Sequence, residues 1–110
     1  MENNKSTILD ETTLEQLKRE HGELTRLSAG GESVIVRNPR RVEYERFRKD
    51  TFDEKRRDKS VETLLRSVIV WPSKEEFLEL LERKPGLSET FGGKVLEMVG
   101  ATEQADVEKL

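Results

Sequence analysis

The three prolines of this chain limit where its helices can begin and end. A proline suits the first turn of a helix, but inside a helix it removes a hydrogen bond, and it pushes the preceding residue out of the helical conformation. Pro39 is therefore predicted at the start of a helix that Asn38 caps, whereas Pro72 and Pro85-Gly86 are predicted to end the helices before them. These breaks divide the second half of the chain into three helices that fold back on one another.

The first of these three helices has a continuous apolar stripe. Its apolar residues follow the i, i+3, i+4, i+7, i+8 spacing of one helix face, and they are Val61, Leu64, Leu65, Val68 and Ile69. We expect this stripe to be the most buried part of the molecule.

A capping signal opens the second helix. Ser73 and Glu76 form a Ser-x-x-Glu capping box, in which each side chain accepts a hydrogen bond from the other residue's amide. Phe77, Leu80 and Leu81 lie on the side of this helix that is predicted to be buried.

The third helix is predicted from about Ser88, with Phe91, Val95, Met98 and Val99 as its apolar residues. The glycines at positions 92 and 93 weaken it, and the glycine at position 100 ends it. A short last turn or tail is predicted for residues 102–110.

The first half of the chain predicts a short helix followed by a β-hairpin. Residues 1–11 form a polar tail, Thr13-x-x-Gln16 is a capping-box pattern, and Gly22 closes the helix. Segments 23–28 and 32–37 have strand-type sequences, and the glycine pair between them suits a tight turn.

The helix that starts near Pro39 carries Val42, Tyr44 and Phe47 and is predicted to reach about Asp50. Residues 51–59 either continue this helix or form an exposed connector, and the sequence leaves both open.

Together these elements predict an α+β fold with an N-terminal β-hairpin packed against about four α-helices. A chain of 110 residues allows one small domain, which we place at residues 12–101. Because 33% of the residues are hydrophobic and 39% are charged, the core is expected to be modest.

The residue types needed for most enzyme and metal sites are scarce. The chain has no cysteine, and its one histidine, His21, is predicted at a helix end without a partner motif. The segment "AGGES" lacks the Gly-Lys-Ser/Thr ending of a phosphate-binding loop. We therefore predict a non-catalytic protein without a cofactor or a metal site.

The charge of the chain is unevenly distributed. Between Arg37 and Lys59 there are ten Lys and Arg residues against six Asp and Glu residues, a local charge of +4, while the rest of the chain carries −7. A basic stretch can bind nucleic acid, which gives one alternative function for this chain. The interleaved acidic residues favour instead i,i+4 ion pairs on a solvated helix face.

Nothing in the sequence indicates export or membrane insertion. The N-terminal segment "MENNKSTILDE" is polar, and no apolar run approaches the length of a membrane span. We therefore expect a soluble cytoplasmic protein.

Two stretches of the sequence resemble a known family. They are "EHGELTRLSAGGESVIVRNPRRVEYERFR" and "ETLLRSVIVWPSKEEFLELLERKPGLSETFG". The chain resembles the small tail assembly chaperones of long-tailed bacteriophages and prophages. The resemblance lies in the order and spacing of a few short motifs, which are His21-Gly22, Arg37-Asn38-Pro39, Glu43-Tyr44, Phe47, Pro72 and Pro85-Gly86-Leu87. The resemblance covers about residues 14–100.

This resemblance implies a function without catalysis. Such chaperones bind the tape-measure protein, and sometimes the tail tube protein, while the tail assembles in the host bacterial cytoplasm, and the mature virion lacks them. A membrane partner is not implied, a nucleic-acid partner is an alternative only, and the oligomeric state is left open. A regulatory protein that binds one cognate partner is the other alternative.

A chaperone of this kind needs apolar residues outside its core, because a partner helix binds by burying its apolar stripe against them. The candidates lie at segment junctions or on the weakly patterned helix, with two arginines beside them, and they are Arg37, Arg40, Tyr44, Phe47, Trp71 and Leu87. The alternative is that the four apolar residues of this set simply close a small core.

Overall fold

The computed structural model describes residues 9–110 of the chain. Within this range the chain forms five α-helices and one three-stranded antiparallel sheet in a single α+β domain. In chain order they are α1 (Glu11–His21), β1 (Leu24–Ala29), β2 (Glu32–Arg37), α2 (Arg41–Thr51), α3 (Ser60–Val68), β3 (Ile69–Trp71), α4 (Lys74–Arg83) and α5 (Leu87–Met98).

The predicted hairpin is present. β1 and β2 pair antiparallel, with Leu27 opposite Val34 and Thr25 opposite Val36. Gly30 and Gly31 have φ values of 59° and 80°, which gives the two-residue turn whose twist matches that of the strands. β1 begins and ends one residue later than predicted.

The sheet has a third strand that the sequence did not predict. α3 ends at Val68, and Ile69, predicted within the helical stripe, adopts an extended conformation with φ −69° and ψ 127°. Ile69 then lies opposite Val36, and Trp71 lies opposite Ile35. The hairpin prediction was therefore incomplete, because β2 is a central strand with a neighbour on each side.

The core lies between one face of the sheet and the last three helices. Leu27, Val34 and Val36 provide the sheet side of the core. The largest fully buried side chains on the helices are Leu65, Val68, Phe77, Phe91 and Val95. The α3 stripe is thus buried as predicted at its centre, although Val61 is half-buried and β2 has the larger buried fraction.

Local capping explains where the helices begin. The Ser73–Glu76 capping box of α4 is present, as predicted. The cap of α1 is Asp10 rather than Thr13, since the Asp10 carboxylate accepts a hydrogen bond of 2.7 Å from the Thr13 amide. α2 begins at Arg41, two positions later than predicted, and the Arg40 amide donates to the Glu43 carboxylate at 2.8 Å.

Gly92 allows α3 and α5 to approach closely. A Cβ atom at Gly92 would lie 2.2 Å from the Cγ1 atom of Val61, whereas a Cβ atom at Gly93 would have no neighbour within 4 Å. The two glycines therefore have different roles, and the helix continues through both of them.

The remaining segments connect or follow these elements. Residues 52–59 form turns and a short 3-10 helix at Arg57–Lys59, so they are a connector rather than a continuation of α2. After a turn at residues 101–102, residues 103–110 form neither helix nor strand and are exposed. Residues 1–8 of the predicted N-terminal tail lie outside the described range. No helix in residues 9–110 is long and apolar enough to cross a membrane.

Candidate functional site

The structure separates the six predicted partner-binding residues into three groups. Arg40, Tyr44 and Phe47 lie together on and beside α2, and Trp71 lies at the end of β3. Arg37 and Leu87 are both buried.

Leu87 belongs to the core. It is the first residue of α5, is 8% exposed, and is part of the main apolar cluster. The expectation that Leu87 stays outside the core is wrong, because the turn at residues 84–86 directs α5 back across the core residues of α3 and α4.

Arg37 is a structural residue rather than an exposed contact. It is 9% exposed, and its guanidinium donates hydrogen bonds to both carboxylate oxygens of Glu43, at 3.0 and 2.5 Å. It also donates to the carbonyl oxygens of Asn38 at 3.1 Å and Ser67 at 2.8 Å. The expectation that Arg37 flanks a partner at the surface is therefore wrong.

The Arg37–Glu43 pair joins three elements. Arg37 ends β2, Glu43 lies in the first turn of α2, and Ser67 lies in the last turn of α3. The hydrogen bond from Arg37 lowers the pKa of Glu43, and the hydrogen bond from the Arg40 amide acts in the same direction, while burial opposes both. The pair therefore fixes the start of α2 against the sheet and α3.

A cleft of about 650 Å³ lies beside the start of α2, and we call it the α2 cleft. It is formed where the beginning of α2, the beginning of β1 and the end of α5 meet. Its lining residues are Glu23, Thr25, Asn38, Pro39, Arg40, Arg41, Tyr44, Met98 and Val99. Two of the predicted residues, Arg40 and Tyr44, thus share this cleft.

Phe47 packs between Tyr44 and the core. Its ring lies 6.1 Å from the ring of Tyr44, centroid to centroid, at an interplanar angle of 28°. Phe47 itself packs against the core cluster. It therefore connects Tyr44 to the core and does not line the cleft.

The α2 cleft has a basic rim. Arg40 and Arg41 are exposed, and the start of a helix adds the positive end of its dipole. Glu23, the one carboxylate that lines the cleft, accepts a hydrogen bond of 3.2 Å from the Asn38 side chain. The cleft is thus suited to a partner with apolar and acidic side chains.

A second cavity has a volume of about 790 Å³, and we call it the Trp71 groove. It lies between α4 and the β1–β2 hairpin. Its lining residues are Leu9, Arg26, Gly31, Glu32, Ser33, Trp71, Pro72, Glu76, Glu79, Leu80, Glu82 and Arg83.

The family model described as "Domain of unknown function (DUF6848)" matches residues 11–108. The chain belongs to the DUF6848 family. Among solved structures, the DUF6848 chain is similar to uncharacterised protein rbstp2171 from Bacillus stearothermophilus, with 24% identity and a TM-score of 0.74. The match covers 86% of this chain and 99% of that one, and it shows a shared fold. A search of curated proteins finds no match.

The basic stretch of the DUF6848 chain is partly neutralised by its own carboxylates. Arg41 lies 2.9 Å from Glu45, and Arg46 and Arg56 each lie 4.0 Å from the carboxylate of Asp50. The Arg41–Glu45 pair is exposed and has the i,i+4 spacing of the solvated-face interpretation, whereas the Asp50 carboxylate is buried. Binding of nucleic acid by this stretch stays an untested prediction.

His21 of the DUF6848 chain lies at the end of α1, and its Nε2 atom is 3.7 Å from the carboxylate of Glu20. Within residues 9–110, no group of three or more His, Asp or Glu residues could hold a metal ion.

Two exposed apolar residues of this DUF6848 domain lie on or directly after α2, and the sequence did not single them out. Val42, on α2, is 67% exposed, and Phe52, directly after α2, is 79% exposed. The sequence shows Val42 only as one of three apolar residues of its helix, with Tyr44 and Phe47, and gives no signal that it faces solvent.

Proposed function

We propose that this chain is a non-catalytic tail assembly chaperone of a long-tailed phage or prophage, and that it binds the tape-measure protein. The observation that carries the proposal is the α2 cleft, an open surface cavity lined by Arg40, Tyr44 and Met98 among others. The sequence resemblance over residues 14–100 supports the choice of partner.

The side chains of the α2 cleft are of the types that dominate protein interfaces. Aromatic residues, methionine and arginine are enriched there because they bury a large area and keep a polar or polarisable group for orientation. Val42 is also exposed, but it lies two positions from Tyr44 on another side of α2 and does not line the cleft. An amphipathic helix that presents an apolar stripe fits such a surface by helix-in-groove contact.

A tape-measure protein is a very long helical chain, and its apolar stripe is prone to aggregate while it is unpaired. Covering that stripe with a small protein of which 39% of the residues are charged keeps the complex dispersed. The proposal places the protein in the host bacterial cytoplasm during assembly and outside the finished virion. The tail tube protein is a second partner under the same proposal.

The test is coexpression with the tape-measure protein of the genome that encodes the chain, followed by affinity capture. The double variant Arg40→Gln/Tyr44→Ser is expected to lose at least nine-tenths of the captured tape-measure protein, since both side chains line the cleft. The control Arg48→Gln removes an exposed arginine of the same helix outside the cleft, and it is expected to retain capture.

A melting measurement accompanies each variant. Because Tyr44 stacks on Phe47, a lower melting temperature together with lost capture would assign Tyr44 to stability. The single variant Arg40→Gln, at an exposed position that lines the cleft, then decides the assignment. Full capture by all of these variants, or no capture by the unmodified chain, would contradict the proposal.

A further inference from the structure

Residues 103–110 follow the turn after α5, and we call them the acidic tail. They form neither helix nor strand, and all of them are exposed. The last backbone hydrogen bond along the described chain joins the Glu103 amide to the Gly100 carbonyl oxygen at 3.2 Å. Beyond Glu103, no backbone hydrogen bond to the rest of residues 9–110 holds the tail in place.

The acidic tail combines negative charge with two large apolar side chains. Val107 is 92% exposed, and Leu110 is fully exposed. Apolar side chains of this size gain free energy when another surface removes them from water. The charged residues of the tail are three carboxylates and one lysine, at Glu103, Asp106, Glu108 and Lys109. The tail therefore has both features of the partner to which the α2 cleft is suited.

The acidic tail begins at the edge of the α2 cleft. Met98 and Val99 line the cleft, and the chain turns directly after them, at residues 100–102. Gly100 has a φ of 82°, and the Ala101 amide donates to the carbonyl oxygen of Leu96 at 3.0 Å. Val107 is eight positions along the chain from Val99, so the tail is long enough to lie back over the cleft. Closing so short a loop costs little entropy.

The surface around the cleft is basic where the tail is acidic. The exposed basic residues between positions 40 and 50 are Arg40, Arg41, Arg46, Arg48 and Lys49. Three carboxylates offset part of this charge, from Glu45, the buried Asp50 and Glu23 of the cleft, while Glu43 is neutralised by Arg37. Five cations against three carboxylates leave a local charge of +2. Arg41 pairs with Glu45, whereas Arg40 has no ion-pair partner within residues 9–110.

We propose that the acidic tail docks into the α2 cleft of its own chain, with Val107 and Leu110 in the cleft and the tail carboxylates toward Arg40. Charge complementarity and the position of the tail at the cleft edge select this occupant. The structure has the tail in the released state, since no tail residue lines the cleft. The docked tail covers the surface that a partner helix needs, so it is an autoinhibitory contact.

A weak contact is sufficient because the tail is attached to the cleft by a short linker. Such a linker gives an effective concentration of about 1 mM, so a contact with a dissociation constant of about 1 mM keeps about half of the molecules docked. The affinity for a partner falls in proportion to the fraction of free clefts, here about twofold. This competition rests on the proposed function for the identity of the partner, whereas the docking itself does not.

Amide NMR spectra of the full chain test the docking without any partner. The double variant Val107→Ser/Leu110→Ser is expected to shift the amide signals of Arg40, Arg41 and Tyr44, which are far from the tail in the sequence but line the cleft. High salt is expected to move these signals of the unmodified chain in the same direction, because screening weakens the attraction between tail and cleft.

The matched control is Gln104→Ser/Ala105→Ser. It changes two exposed tail residues that are neither charged nor large and apolar, and it is expected to leave the cleft signals in place. Both double variants alter exposed positions outside the core, so each is expected to keep the melting temperature of the unmodified chain.

Shifts confined to the tail and the turn before it would overturn the proposal. Equal shifts of the cleft signals in the control would overturn it too, since the two apolar side chains would then not be recognised. Cleft shifts that depend on protein concentration would mean that the tail binds a second copy of the chain, which also contradicts docking within one chain.

Binding of the tape-measure protein gives a separate result. Val107→Ser/Leu110→Ser is expected to bind it about twofold more tightly than the unmodified chain does, because more clefts are free. Equal affinity of the two chains would overturn the autoinhibitory role. Docking seen by NMR without tape-measure binding by any variant would contradict the proposed function and support the tail docking alone.

Discussion

Arg37 and Glu43 show how one ion pair can set the geometry of several elements. The pair is mostly shielded from solvent, with side-chain exposures of 11% and 16%. Burying two charges is unfavourable in itself, so such a pair adds little net stability, but removing one partner leaves the other uncompensated. The main consequence of the pair is therefore that β2, α2 and α3 keep fixed positions relative to one another.

A single truncation of the pair should be strongly destabilising. Arg37→Met is expected to lower the free energy of unfolding by about 3 kcal/mol, the low end of the range for breaking a buried pair. Arg41→Met is the matched control, because Arg41 pairs with Glu45 at the surface, where its side chain is 90% exposed. The control should change stability by less than about 1 kcal/mol in urea unfolding followed by Trp71 fluorescence. Similar losses in both variants would contradict the structural role of Arg37.

The same pair predicts a pH dependence of stability. The hydrogen bond from Arg37 holds the pKa of Glu43 below its ordinary value of 4.5. The unfolded chain therefore binds the proton first as pH falls, so the stabilisation is complete above the unfolded pKa and is lost as pH drops through the folded pKa. Urea midpoints between pH 7 and pH 3 should fall less steeply for Glu43→Gln than for Glu45→Gln. Equal slopes would show that Glu43 is not the titrating group.

At the scale of elements, the close packing of α5 against α3 depends on Gly92. Gly92→Ala would place its Cβ atom 2.2 Å from Cγ1 of Val61, so the Val61 side chain or the two helices must shift. Overpacking of this kind typically costs about 1–3 kcal/mol. Gly93→Ala meets no atom within 4 Å and should stabilise the helix by about 0.5–1 kcal/mol. Thermal unfolding should show shifts of opposite sign, and a shift of the same sign in both variants would contradict this packing.

The elements that could be predicted from the sequence are those with a local cause. The Gly30-Gly31 turn and the Ser73–Glu76 capping box depend on residues a few positions apart, and both are confirmed. β3 could not be predicted in this way, because Ile69 continues a helical spacing and only pairing with β2 makes it a strand. The start of α2 likewise depends on Arg37, six positions before its partner Glu43.

In the candidate site, too, the features with a local cause could be predicted and those that depend on distant residues could not. Arg40 and Tyr44 are one helical turn apart, so their shared position at the α2 cleft follows from local geometry. Leu87 is buried by contacts with residues distant in sequence, and the wall of the Trp71 groove combines α4 with the hairpin. No spacing rule within one segment indicates such a combination.

At the scale of the whole molecule, the core and the two surfaces share few side chains: Leu80 belongs to both the core and the groove, and Met98 packs against the core and lines the cleft. The core uses one sheet face with α3, α4 and α5, while the Trp71 groove is lined by Trp71 and by the face of α4 that carries Glu76, Glu79 and Leu80. A chain with 33% hydrophobic residues can therefore complete a core and keep Tyr44 and Trp71 accessible. Variants of either surface should leave the cooperative unfolding transition in place.

The same substitution at two leucines tests this division. Leu65 is fully buried at the centre of α3, so Leu65→Ala should lower the free energy of unfolding by about 2–5 kcal/mol, since it removes buried methyl groups and leaves a cavity. Leu78 is 38% exposed on the outer side of α4, and Leu78→Ala should lower it by less than about 1 kcal/mol. Urea unfolding measures both. A comparable loss in Leu78→Ala would mean that the side of α4 that carries Leu78 is packed in the folded protein, which would contradict this division between core and surface.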